Sequence, residues 1–218
     1  CGIERLSLHG EVGSSATDTV LYLGGYVYGM VRDIYIAGGK YGLELGSGWI
    51  NSFNNITVAG SYEACYWLHG RAADNTWTSC TAGRLLSPST VNPISGIRFE
   101  GVKDSLEIYY QTPASNIFTL CDTSHCTYPI DLANDIVGGY NKFNNHYYEQ
   151  GSGMRIQDED VLNFKTFAGN EFPILHGLTS LQIKALHVNN IIVDHNSADG
   201  GQYHKAEANK AIFGYDGF

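Results

Sequence analysis

Apolar and polar residues alternate along much of this chain, in short runs bounded by Gly, Asn and Ser. Ile34 and Ile36 alternate with polar neighbours, and Leu43 and Leu45 follow. Ile56 and Val58 are followed by Tyr66 and Leu68. Trp77, with Cys80, is followed by Ile97 and Phe99. Alternation at period two over a few residues is the signature of a strand, because successive side chains leave opposite faces of the backbone. Helical periodicity is nearly absent, and the one short helix expected is AEANKAIFG, residues 206–214.

The strand pairs recur. The dipeptide Ala-Gly falls at Ala37-Gly38, Ala59-Gly60 and Ala82-Gly83, at spacings of 22 and 23 residues. The third unit is stretched by SPSTVNPIS, residues 87–95, whose prolines and serines read as a loop inserted between strands. Weaker echoes follow in DSLEIYY, NIFTLCD, NKFNNHYYEQ, GMRIQD and LNFKTFAG, and IERLSLHG stands upstream as an earlier turn of the pattern. Many short strands alone would suit a sandwich or barrel. A fixed period of about 22 residues predicts an all-β solenoid, in which like positions stack on like positions. The solenoid is expected over residues 1–195, with 196–218 as a C-terminal extension or the start of a further region.

Composition narrows the function. The chain has 218 residues, of which 16% are charged, with a net charge of -9. That balance argues against nucleic acid and against anionic membranes as partners, because both attract basic surfaces. No apolar run approaches the roughly 18 residues of a membrane span. The five cysteines have no framework spacing, which suits folding in a reducing cytoplasm. Cys121, Cys126 and the intervening His125 fall short of the four ligands of a structural zinc. No metal or cofactor is expected. The chain opens at Cys1 as if in mid-fold and is taken as a piece of something longer.

The units NNITVAG, YWLHG and NTWTSCTAG, with the later NKFNNHYYEQ, resemble the right-handed parallel β-helix of the pectate-lyase-like superfamily. Within it the chain is most similar to phage tailspike polysaccharide depolymerases. The resemblance covers roughly Ile3 to His195 and is one of style, with no strict catalytic signature. It implies a homotrimer on a virion tail, made in the host cytoplasm and acting at the bacterial cell surface on a capsule or O-antigen. It leaves open a site on one face of the helix or one between subunits. Tyr147-Tyr148-Glu149 recurs in such proteins, and Glu149 is as well explained by a structural role in the turn.

Period two also says what points outward. If Leu45, Leu68, Phe99, Ile156 and Leu175 face the core, Gly46, His69, Glu100, Gln157 and His176 face solvent. Trp67, Arg98 and Arg155 precede them on the same face. Neighbouring strands lie about 4.8 Å apart, so His69 and Glu100 are expected as lateral neighbours. An aromatic ring with Arg, His and Glu on one face suits carbohydrate, whose apolar faces stack on aromatics and whose hydroxyls and carboxylates take charged hydrogen bonds. The other sheet presents Tyr35, Thr57, Thr78, Glu107, Tyr109 and Lys165, mostly a Thr ladder, with Glu107 and Tyr109 its less ordinary part.

Catalytic candidates are Glu100, His69 and Glu107. Substrate-binding candidates are Trp67, Arg98, Arg155, Tyr109 and His176. Glycoside hydrolysis needs two carboxyl groups, about 5–5.5 Å apart for retention and about 6.5–9.5 Å for inversion. Glu100, Glu107, Asp74, Glu63, Asp122 and Asp158 are on offer, without their pairing. A lyase instead needs a base beside a uronate and a cation to neutralise it, roles open to His69 and Arg98. The acidic net charge favours the hydrolase. The alternative is a non-catalytic glycan-binding or structural β-helix segment of a virion fibre.

Overall fold

A computed structural model of the protein describes residues 2–83, 92–103, 110–111, 113–133, 141–144 and 146–149, and the short strands 154–156, 167–168, 174–176, 192–194 and 203–205. The described residues contain strands and turns and no helix. The expected helix at 206–214 and the division at 195 lie outside them.

Strands are numbered in chain order. The first large sheet holds β1 (Gly2–His9), β3 (Met30–Ala37), β5 (Ser52–Ala59), β7 (Thr76–Thr78), β8 (Thr81–Gly83), β12 (Ile117–Thr119), β13 (Asp122–Ser124), β15 (Lys142–Asn144), β16 (Tyr147–Glu149) and β18 (Phe167–Ala168). The second holds β2 (Thr19–Gly24), β4 (Tyr41–Gly46), β6 (Ala64–His69), β9 (Ser95–Glu100), β14 (Tyr128–Leu132), β17 (Met154–Ile156), β19 (Ile174–His176), β20 (Ile192–Asp194) and β21 (Tyr203–Lys205). The chain passes from one sheet to the other and back. Within the two sheets the pairings are parallel, apart from β20 with β21. β10 (Val102–Lys103) and β11 (Tyr110–Gln111) form a separate antiparallel pair.

The registers give the repeat its length. Ile34 pairs with Ile56, Leu45 with Leu68, Phe53 with Trp77 and Phe118 with Phe143. The step is thus 22 to 25 residues where nothing intervenes. It lengthens to 31 at Leu68–Phe99, across the expected insertion, and to 41 at Trp77–Phe118, across both that insertion and the β10–β11 pair.

One feature of the first sheet breaks simple alternation. Arg5, Asp33, Asn55, Ser79 and Leu120 all have left-handed backbones, with φ between 51° and 57°. They occupy one position in successive passes of the chain, within β1, β3 and β5, between β7 and β8, and between β12 and β13, and each adds a residue that the ladder skips. The inward residues therefore run i, i+3, i+5: Phe53, Ile56, Val58, then Trp77, Cys80, Ala82. Trp77 consequently stacks on Phe53 rather than on Ile56, with ring centroids 3.8 Å apart, and Cys80 takes the place beneath Ile56. The column continues through Phe118 and Phe143, each ring stacked nearly parallel to the last. The expected Thr ladder shifts likewise: Thr57 lies beside Thr81, and Thr78 beside Thr119.

At the turn entering the first sheet stands a buried asparagine ladder. Asn51 Nδ2 donates to Asn75 Oδ1 at 3.0 Å, Asn75 to Asn116 at 2.9 Å, and Asn116 to Asn141 at 2.8 Å. The same oxygens accept the backbone N–H of the preceding asparagine, and each Nδ2 also donates to a turn carbonyl. Each amide thus satisfies turn groups that no strand ladder reaches. The sequence signal is Asn-x-aromatic: NSF, NTW, NIF and NKF.

Cys65, Cys80, Cys121 and Cys126 are buried free thiols. Cys121 lies beside Cys80 and Cys126 beside Cys65, rather than the two later cysteines meeting in a loop.

Candidate functional site

The second sheet brings the chemistry together. Glu44 of β4, Trp67 of β6 and Arg98 of β9 are Cα partners across three neighbouring strands. Gly46, His69 and Glu100 form the parallel row two residues on. Leu45, Leu68 and Phe99 between them are wholly buried, so both rows point away from the core. The pairing of Leu68 with Phe99 carries the register intact across the insertion. His69 and Glu100 are lateral neighbours by that register, but their side chains take other partners.

Trp67 Nε1 donates to Glu100 Oε2 at 2.9 Å, and Arg98 Nε donates to the same oxygen at 3.2 Å. Arg98 Nη1 lies 3.9 Å from Glu63 Oε2 on its other side. His69 Nε2 instead meets Glu44 Oε1 at 2.9 Å, and Thr19 Oγ1 donates to Glu44 Oε2 at 2.6 Å. These charged side chains are only 13% to 25% exposed, so the pairs sit in a partly dehydrated surface rather than out in bulk water.

Rings join the two halves. Tyr41 stacks on Trp67 with centroids 4.2 Å apart, and Trp67 lies 4.4 Å from His69. Lys40 Nζ stands 5.3 Å over the Tyr41 ring. Burial raises the Tyr41 hydroxyl above its ordinary pKa; Arg98 pulls it down, while Glu63, Glu100 and Glu44 push it up. Gly46 is small for a reason: a Cβ there would come within 3.1 Å of both the His69 and the Tyr22 rings. A side chain at Gly46 would crowd both rings, of which Tyr22 is exposed. Gln111, at the end of the β10–β11 hairpin, reaches the Gly70 side of this patch.

Of the residues predicted from sequence, Trp67, His69, Arg98 and Glu100 come together here. The row of Trp67 and Arg98 runs on through Asp131, Arg155 and His176 as Cα partners. His176 therefore stands beside Arg155 rather than beside Gln157. The side chains of Arg155 and His176 lie outside the described residues, as do Glu107 and Tyr109 altogether. Tyr41, Glu44 and Asp131 escaped the sequence reading, and Glu63 was only one carboxylate among several. Their signal was available: Glu44 stands between Leu43 and Leu45, and Asp131 between Ile130 and Leu132, the alternation that picked out Trp67 and Arg98. Asp131 is fully buried and accepts from Ser95 Oγ at 2.8 Å.

Among the described residues no group of three or more His, Cys, Asp or Glu side chains is arranged to hold a metal ion. No protein-family model matches this chain, and no curated protein or solved structure matches it either.

Proposed function

We propose that this chain is a right-handed parallel β-helix, with rungs near 22 residues, and that it is part of a phage tailspike-like depolymerase. It binds a bacterial capsule or O-antigen and cleaves it by glycoside hydrolysis. The observation that carries this reading is the joining of Trp67, Glu100 and Arg98 to the Tyr41 ring on one outward face. Stacked aromatics accept the apolar face of a sugar, and flanking carboxylates take its hydroxyls.

In this reading Glu100 is one of the two carboxyl groups, positioned by two N–H donors, Trp67 Nε1 and Arg98 Nε, on its Oε2. Glu63, on the far side of the Arg98 guanidinium, is the second carboxyl that hydrolysis requires. Glu44 and His69 bound the site. Elimination is less well served. A lyase needs an Arg free to neutralise a uronate, and Arg98 already faces Glu63 and Glu100. His69 is likewise occupied by Glu44.

A homotrimer on the virion tail, acting at the cell surface, belongs to the same proposal. Exposed Tyr28, Trp49 and Ile50 give such an assembly apolar surface to cover. A second reading, a glycan-holding fibre segment without catalysis, draws on the fact that Glu44, Glu63 and Glu100 are all already paired. Incubation with a panel of capsules and O-antigens, followed by mass spectrometry, separates these readings. Products carrying an added water support hydrolysis, unsaturated uronates indicate elimination, and binding without products indicates the fibre segment.

A further inference from the structure

The same face carries information about which sugar it takes. Several of its hydrogen-bond donors are turned onto its own carboxylates: Trp67 Nε1 and Arg98 Nε donate to Glu100, and His69 Nε2 faces Glu44. Its acceptors are in excess. Glu63 and Glu100 flank the Arg98 guanidinium, Glu44 meets His69 and Thr19 instead, and all three carboxylates oppose ionisation of the Tyr41 hydroxyl. A further cation is already drawn to the rings, since the Lys40 ammonium lies over Tyr41 at 5.3 Å. Lys40 stands on a flexible stem and occupies the place that a ligand's ammonium would take.

We infer that this face selects a glycan bearing a protonated amino group, a hexosamine with its amine free, over N-acetylated or uronate-bearing glycans. The inference rests on the glycan reading above and names its substrate class. An ammonium brings three N–H donors and a positive charge to carboxylates that lack enough of either. The apolar face of the same sugar lies on the Tyr41–Trp67 stack. An N-acetyl group brings one neutral donor, and a uronate brings a fourth carboxylate to the three already there.

The test is calorimetric titration of the full chain with glucosamine oligosaccharides, N-acetylglucosamine oligosaccharides and oligogalacturonate of equal length. The amine form is expected to bind at least about tenfold more tightly than either other form. The margin should shrink as salt is raised, because the attraction is between charges near the surface. Glu63→Gln and, separately, Glu100→Gln should each erode the margin, with circular dichroism confirming that both variants fold. If the N-acetylated or uronate form binds as tightly, and Trp67→Ala abolishes that binding, the amine preference is wrong and the glycan site stands. If none of the three binds, or binding ignores Trp67→Ala, the amine preference and the glycan site both fall.

Discussion

Trp67 and Glu100 are joined across neighbouring parallel strands, the indole Nε1 donating to Oε2 at 2.9 Å. The bond ties the largest ring of the outward face to its best-oriented carboxylate. It also limits what the carboxylate can do, since Arg98 Nε donates to the same oxygen and leaves Oε1 for a substrate.

Glu100→Gln keeps the shape and removes the charge. It is expected to lower depolymerase turnover by more than tenfold, or more than about 1.4 kcal/mol of barrier. Trp67→Ala should weaken glycan affinity and also loosen Glu100. Normal turnover in a folded Glu100→Gln protein, measured by release of reducing ends, removes Glu100 from the mechanism.

His146 yields a pH prediction. It is buried beneath the Phe118–Phe143 stack, its Nε2 lies 2.9 Å from Thr123 Oγ1, and burial depresses its pKa to about 3. The unfolded chain takes the proton first, near its ordinary value. The stability contribution is therefore complete above about pH 6.5 and lost toward pH 3, at about 1.4 kcal/mol per unit. His146→Gln should flatten that part of the stability-against-pH curve relative to the parent. Denaturant titrations from pH 7 to 4 with parallel slopes for both proteins would refute the assignment.

The asparagine ladder should be the most sensitive polar element of the fold. Asn75 accepts from Asn51 and donates to Gly48 O and Asn116 Oδ1, all of them buried. Asn75→Ala strands groups on both sides and should cost about 3 kcal/mol. Asn75→Asp keeps the acceptor but buries a charge facing another acceptor. It should do more harm at neutral pH than near pH 4, where a protonated carboxyl can donate again. Chemical denaturation at both pH values measures this.

Much of the fold was legible because period two was legible. Ile34–Ile56 and the Leu45–Leu68–Phe99 row fell where alternation put them, and the inserted loop did not disturb the register. What alternation could not see was the left-handed residue at Arg5, Asp33, Asn55, Ser79 and Leu120 in the first sheet. Asp33, Asn55 and Ser79 carry no apolar signal, yet each shifts the phase by one. That shift moved Trp77 away from Ile56 and put Cys80 beneath it. At the site, alternation found one residue from most strands and passed over Glu44, because no aromatic neighbour drew attention to it. The partners of His69 and Glu100 depend on side-chain reach, which strand register alone does not set.

The phase shift can itself be tested at Trp77. Its ring lies 3.8 Å from Phe53 and 5.5 Å from Phe118, nearly parallel to both, and meets Tyr66 edge-on. Its Nε1 is buried with no acceptor among the described residues. A column made otherwise of phenylalanine gives that N–H nothing to bond. Trp77→Ala should cost about 3–5 kcal/mol, through lost burial and the cavity left between two flat rings. Trp77→Phe removes the orphaned donor together with part of the ring, so gain and loss oppose each other. Its cost should stay below about 1.5 kcal/mol, as for a volume-tolerant apolar exchange. Were Trp77 stacked on Ile56 instead, Ile56→Ala and Trp77→Ala would couple strongly in a double-mutant cycle. The structure predicts the strong coupling for Phe53 with Trp77, and an Ile56–Trp77 coupling that exceeds it would overturn the register.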